Sequence, residues 1–238
     1  MLPPVMNERH YVGSELDTFA SAKNWKRYWR SRVAGFVAGD VLEVGAGIGS
    51  NTTLLRSLST GHWLCLEPDP DLLTQCVKNV GRCGLAVDSV CGGLRAVPED
   101  SSFDTALYID VLEHIEDDAG ELSRVAQHIR PNGHIIVLSP AHERLYSPFD
   151  RAIGHVRRYD HQSLGQCSPA GATMRTCEYL DSVGYFLSLA NRIFLKQSMP
   201  ALNQVLFWDR VVVPVSRAVD PLMRFRFGKS ILAIWQLR

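Results

Sequence analysis

Long apolar runs are missing from this chain. No 18-residue apolar window occurs in its 238 residues. The nearest approach, 199–219, is interrupted by Asp209, Arg210 and Arg217, so no membrane span is expected. The opening Met-Leu-Pro-Pro-Val-Met-Asn-Glu-Arg-His lacks the basic-then-apolar order of a secretory signal, so the expected location is cytoplasmic. Cysteine is sparse and scattered: Cys65, Cys76, Cys83, Cys91, Cys167 and Cys177 form no CxxC pair and have no histidine at ligand spacing. That argues against a zinc site and against a disulfide framework, and no metal is expected. Excess charge of one sign is also missing. Lys plus Arg is 25 and Asp plus Glu is 25, which removes any general attraction to nucleic acid. Repeats and low-complexity tracts are absent.

The chain does have enough apolar material, 46% of its residues, for one ordinary core, and a single domain is expected over 1–238. Its charge is uneven. Residues 182–238 hold eight bases against two acids (Asp209, Asp220), net +6, which leaves net −6 on the remainder. Such asymmetry marks either a surface for an anionic partner or two parts that pack together.

Periodicity predicts an N-terminal helix over 16–36, with Phe19, Ala22, Trp25, Trp29, Val33 and Phe36 on one face. From 40 to 180, short continuous apolar runs (41–44, 62–67, 86–91, 105–110, 134–139) alternate with helical stretches. Strands without polar alternation, separated by helices, indicate a parallel sheet covered on both faces. A helical insertion or lid is expected over 182–227, bent by Pro214 and Pro221, before a last strand in 228–238.

The most informative segment is Val41-Leu-Glu-Val-Gly-Ala-Gly-Ile-Gly49. A glycine turn that leaves a strand lets backbone approach a ligand, and the next helix offers free N–H groups. The spacing is GxGxG, with Ser50 where a dinucleotide fingerprint wants its last glycine, and Glu43 would repel a pyrophosphate. A carboxylate at that position suits an ammonium group. Glu67, ending the second strand, is placed to accept both hydroxyls of a ribose. A nucleoside with a cationic amino-acid tail, S-adenosylmethionine, fits the pair better than NAD.

This segment resembles motif I of the class I S-adenosylmethionine-dependent methyltransferases. The resemblance continues through Leu66-Glu-Pro-Asp69, Phe103-Asp-Thr-Ala-Leu-Tyr-Ile-Asp-Val-Leu-Glu-His-Ile115 and Arg130-Pro-Asn-Gly-His-Ile-Ile-Val137, covering about 40–140. It implies a doubly wound, mostly parallel seven-stranded α/β sheet of Rossmann-like type. It also implies that Gly45, Ala46, Gly47 and Gly49 line the methionine moiety, with Glu43 near its ammonium. Glu67 would hold the ribose beside Pro68 and Asp69; Gly92, Gly93 and Leu94 would face the adenine; Asp110 and Val111 would flank the reacting methyl. Many family members carry an acid after the third strand, where this chain has Cys91-Gly-Gly93. Either backbone or a displaced Asp88 takes that place.

After the fifth run comes a stretch rich in functional side chains, 140–159. His155, Arg157 and Tyr159 resemble the H-x-R-x-Y/F element of small-molecule methyltransferases, and Tyr146 and Asp150 lie in the same stretch. Arg157 and Arg158 are candidates to clamp an anionic acceptor, His155 to take its proton. The alternative is a structural network tied by Asp150 or Asp160. His114 is either a second chemical group or the cap of a short helix. The sequence has no [DN]-P-P-[YF] after the fourth strand, which lowers nucleic acid as substrate. The expected activity is methyl transfer to a small molecule at oxygen, the acceptor being anionic or lipid-like, with peripheral membrane contact through 182–227 or a homodimer as candidate associations. The rival readings are a non-catalytic S-adenosylmethionine-binding scaffold and, less favoured, an NAD-dependent oxidoreductase.

Overall fold

The computed structural model describes residues 14–194 and 201–238. Residues 195–200 of the expected insertion, with Lys196 and Met199, lie outside the described residues.

Among the described residues seven strands form one sheet: β1 (Val41–Val44), β2 (Trp63–Glu67), β3 (Asp88–Cys91), β4 (Phe103–Ile109), β5 (Ile129–Pro140), β6 (Ala172–Leu180) and β7 (Ser230–Leu237). Their order is β3-β2-β1-β4-β5-β7-β6. The first five run parallel, and β7 lies antiparallel between β5 and β6. Every residue of β1 and β2 is buried, which is why these segments read as apolar runs interrupted only by Glu43 and Glu67. Chain order reverses between β1 and β4. A crevice opens at the carboxyl ends of the strands at such a point.

The helices are α1 (Ser14–Ala20), α2 (Lys23–Val33), α3 (Ser50–Leu55), α4 (Pro70–Arg82), α5 (Asp118–Gln127), α6 (Pro148–Ala152), α7 (His161–Gln166), α8 (Ser182–Phe194), α9 (Leu202–Phe207) and α10 (Val213–Val219). One sheet face carries Leu42, Tyr108, Leu122, Ile135 and Trp235 in its core; the other packs Val41, Leu107, Ile136 and Leu232 against Trp25, Trp29 and Val213. Each such side chain contributes about 1.5–3 kcal/mol on burial.

One local expectation is corrected. The single helix over 16–36 is broken at Ser21–Ala22, where the Ser21 hydroxyl turns back to the Thr18 carbonyl. The second helix starts afresh because Asp209, far along the chain, accepts the Trp25 N–H at 2.8 Å and caps it. The insertion is helical as expected, and its apolar residues divide between core and surface. Val205, Val212 and Val213 are buried, while Leu202, Val215 and Leu222 are exposed. Trp208–Val212 forms a wide π turn ahead of Pro214, whose missing N–H and bulky ring break the regular ladder.

Candidate active site

The site is built at the carboxyl ends of β1, β2, β4 and β5. Beyond β1 the chain turns through Gly45, at φ +69°, where a Cβ would meet Val111 Cγ2 at 2.5 Å. Gly49, at φ +78°, begins α3 and lies so close to Cys76 that no side chain fits. Between them Ala46 is pinned by its N–H to the Leu66 carbonyl at 2.9 Å. Glu67 braces the turn: its Oε2 accepts the Gly47 N–H at 2.8 Å and its Oε1 the Asp69 N–H at 3.0 Å. Burial raises its carboxyl above the usual range, against those two bonds. Each oxygen retains a second lone pair for a hydroxyl donor.

Asp69 follows Pro68 and caps α4, accepting from the N–H groups of Asp71 and Leu72. Across β2, the Gly92 N–H donates to the Glu67 carbonyl at 3.0 Å, which sets Gly92, Gly93 and buried Leu94 beside the strand end. Asp88 does not take the place of the missing acid. It starts β3, opposite Leu64, and pairs with His62 at the far end of the strands.

Glu43 is 3% exposed and lies beneath the glycine turn. Burial pushes its carboxyl up to about 7, against hydrogen bonds from Thr52, Trp63 and Cys65; the Trp63 Nε1 donates at 2.9 Å. Glu43 therefore offers the cleft its field rather than an open oxygen. Sequence reading missed Lys26, whose Nζ donates to Ser50 Oγ at 2.7 Å and Asn51 Oδ1 at 3.1 Å above the same turn. Burial pulls its ammonium down to about 8, opposed by the Asp110 and Glu43 carboxylates. The signal was present: Lys26 lies one turn from Ala22 and Trp29 on the apolar face of its helix, an unlikely place for a charge without a partner.

Asp110 ends β4 with φ +56°, open to solvent in the cleft but crowded by protein, which raises its carboxyl to about 6. Val111 packs on Gly45. A short turn, Leu112–His114, then delivers Glu113 and His114. Glu113 is completely buried; its Oε2 accepts from Ser139 of β5 at 2.9 Å, and its Oε1 has no hydrogen-bond partner. Burial, then the nearby Asp110, drive its carboxyl well above the usual range. His114 is half-buried, and burial lowers its imidazole to about 4.

The 140–159 stretch folds over this end. His155 Nδ1 meets Asp150 Oδ1 at 2.9 Å, its Nε2 faces Glu113 Oε1 at 3.7 Å, and its ring crosses that of His114 with centroids 4.7 Å apart. Arg158 grips both oxygens of buried Asp150 at 2.9 Å. Although burial opposes it, bonds from His155, Arg158 and Ser147 hold the Asp150 carboxyl well below the usual range. Arg157 instead binds Asp118 at 2.7 Å and the Glu116 carbonyl. Tyr159 is buried with its hydroxyl on Asp118, and Tyr146 donates to the His155 carbonyl. Asp160 caps α7. Of the two acids named for a structural network, Asp150 ties Arg158 and His155, while Asp160 ties neither arginine; Arg157 is held, with Tyr159, by Asp118, which sequence reading did not name. None of these groups is held open as an anion clamp.

One ligand atom from each of Glu113, His114 and His155 lies within 4.8 Å of the others, a spatial cluster that linear spacing did not predict. Aromatic rings of Phe19, Phe149 and Trp208 meet nearby, joining α1, the 140–159 stretch and the insertion into one wall.

Comparison with known proteins agrees with this geometry. The family model described as a methyltransferase domain matches residues 42–137, from β1 through β5. No curated protein matches the chain. Among solved structures, an S-adenosylmethionine-dependent methyltransferase from Clostridium acetobutylicum is similar with TM-score 0.59 and 11% identity, over 91% of this chain and 92% of that one. The N-methyltransferase NodS from Bradyrhizobium japonicum, solved with S-adenosyl-L-homocysteine, gives TM-score 0.58 and 12% identity over 92% and 87%. A putative methyltransferase from Haloferax volcanii, solved with a methyltransferase activator, gives 0.63 and 16% over 94% of each. At these identities the structural likeness is one of fold. Residues 42–137 match a methyltransferase domain, and the chain as a whole has the fold of the S-adenosylmethionine-dependent methyltransferases.

Proposed function

We propose that this methyltransferase transfers the S-adenosylmethionine methyl group to a hydroxyl oxygen of a small, anionic or lipid-like acceptor. The observation that carries the cofactor part is Glu67, braced by Gly47 and Asp69 with lone pairs to spare for two ribose hydroxyls. Gly45, Ala46, Gly47 and Gly49 would cradle the methionine, Lys26 would take its carboxylate and Asp110 its ammonium. Pro68 and Asp69 would border the ribose, with Gly92, Gly93 and Leu94 along the adenine and Val111 near the methyl. Methyl transfer from a sulfonium is an in-line displacement: the O–C bond forms as the S–C bond breaks and its electron pair stays on sulfur. Alignment supplies much of the rate.

Oxygen is favoured as the acceptor atom by the polar pole beside Asp110. His155, held by Asp150 and Arg158, and half-open His114 give a hydroxyl proton somewhere to go. Tyr146, Arg157 and Tyr159 act in this reading as positioning residues that shape the loop.

A lipid-like acceptor is favoured by the insertion's surface. Phe207 (59% exposed), Val211, Val215 and Leu222 (83% exposed) are exposed apolar side chains of this segment. Both acids of the segment are turned inward, Asp209 on Trp25 and Asp220 on Tyr28, and among the described residues Arg210, Arg217, Arg224 and Arg226 are exposed. Exposed apolar side chains among bases suit an anionic bilayer surface. No helix among the described residues is long and apolar enough to cross a membrane. The test is methyl transfer from labelled cofactor to hydroxylated acceptors, with and without vesicles containing anionic lipid. Transfer to hydroxylated lipid-like compounds supports the reading. Transfer confined to amines, or cofactor binding without any turnover, overturns it.

A further inference from the structure

The contact between His155 and Glu113 has the chemistry of an incomplete coordination shell. Arg158 holds both oxygens of Asp150, and His155 Nδ1 meets one of them at 2.9 Å, which turns the other ring nitrogen, Nε2, toward Glu113. Nε2 faces Glu113 Oε1, which is buried and without a hydrogen-bond partner. At 3.7 Å the two are beyond direct hydrogen-bond reach of one another. A buried oxygen left unsatisfied costs about 1–3 kcal/mol, and such a group in a native site calls for an ion, a water or a proton. His114 brings a third potential ligand within 4.8 Å of both. The surroundings add what metal sites require of their supports: a carboxylate orients His155, the Gly154 backbone engages His114, and Ser139 fixes the second oxygen of Glu113.

We propose that Glu113, His114 and His155 bind a divalent transition-metal cation, Zn²⁺-like in its preference for imidazole and carboxylate, with coordination positions open to the acceptor. Two histidines and one carboxylate suit zinc, iron or manganese better than magnesium or calcium, which favour all-oxygen shells. Asp110 stands at the open side, where its charge compensates the cation. This inference rests on the methyltransferase reading and deepens it. With the cation bound, His114 and His155 are ligands and no longer take the acceptor proton; an acceptor hydroxyl on the cation loses it to solvent more readily instead. Its oxygen then forms the bond to the methyl carbon while the sulfonium carbon–sulfur bond breaks onto sulfur.

The test is calorimetric titration of the chelator-stripped full chain with Zn²⁺, and with Co²⁺ followed by visible absorption. The expected result is one equivalent per chain, at least about tenfold weaker in both Glu113→Gln and His114→Ala, with a Co²⁺ spectrum of nitrogen and oxygen ligation. Uptake that is absent, or unchanged in both variants, overturns the proposal; the second is the outcome if exposed Cys83 and Cys91 are the ligands instead. Should the buried Glu113→Gln variant fail to fold, the half-open His114→Ala decides alone. Titration of the same samples with S-adenosylhomocysteine separates the two claims. Homocysteine-adenosyl binding without metal uptake rejects only the cation site, whereas its loss in the wild type rejects the methyltransferase reading.

Discussion

Asp209 accepts the backbone N–H of Trp25 at 2.8 Å across 184 residues of sequence. Its second oxygen holds the Asn24 amide at 3.2 Å, so the insertion caps the helix that carries Lys26. Replacing Asp209 by Ala leaves a buried N–H unpaired and is expected to cost about 1–3 kcal/mol. At this chain length that lowers Tm by about 2–4 °C per kcal/mol. The affinity for S-adenosylhomocysteine should fall as well, because Lys26 loses its fixed position. A melting curve and a binding isotherm superimposable on wild type would show that the cap carries no load.

Lys26 predicts a pH dependence of cofactor binding. Burial lowers its ammonium to about 8, so the charge that would meet the cofactor's carboxylate is present below that pH and lost above it. Affinity for S-adenosylhomocysteine is expected to decline by up to about tenfold per pH unit above 8. The ligand's own amino group titrates alike in every variant, so Lys26→Arg should move the decline to higher pH and Lys26→Met should weaken binding across the range. Identical profiles for all three would remove Lys26 from the site.

Two glycines make opposite predictions. A methyl group at Gly45 would require the strained φ of +69° and strike Val111, whereas a Cβ at Gly93 meets nothing within 4 Å. Gly45→Ala should abolish cofactor binding and destabilise the fold; Gly93→Ala should leave the unfolding free energy within about 0.5 kcal/mol of wild type. Equal behaviour would mean that the turn is not as tight as described.

The neighbouring arginines should also differ. Arg158→Met strands the ionised, fully buried Asp150, at an expected cost of about 3–5 kcal/mol. Arg157→Met removes a bond to Asp118 from a side chain one-third exposed and should cost about 1 kcal/mol. Denaturant midpoints of the two variants give the comparison, and equal losses would contradict the network.

The parts of the fold legible in the sequence were those set by local pattern. Continuous apolar runs such as 41–44 give parallel strands because both sheet faces are covered, and Gly45 to Gly49 announces the turn through its backbone demands. What stayed hidden was set by distant contacts. The break at Ser21–Ala22 depends on Asp209, and the inward turn of Asp209 and Asp220 depends on Trp25 and Tyr28. Glu67 drew notice because it ends a strand, and Asp110 because the resemblance of 103–115 to the family motif singles it out. Lys26 was overlooked because it interrupts an otherwise apolar helix face, and Glu113 because no neighbouring residue reveals that its oxygen is unpaired. The arginines of 157–158 read as an anion clamp only while Asp118 and Asp150 were unplaced.

Calorimetric titration with S-adenosylmethionine, S-adenosylhomocysteine and NAD, on the wild type and on Glu67→Ala, tests the central claim most directly. The account predicts micromolar binding of both adenosyl compounds, no binding of NAD, and an affinity about 100-fold weaker in the variant, which loses two charge-assisted hydrogen bonds to the ribose. Binding of NAD alone, or adenosyl binding indifferent to the loss of Glu67, would contradict it.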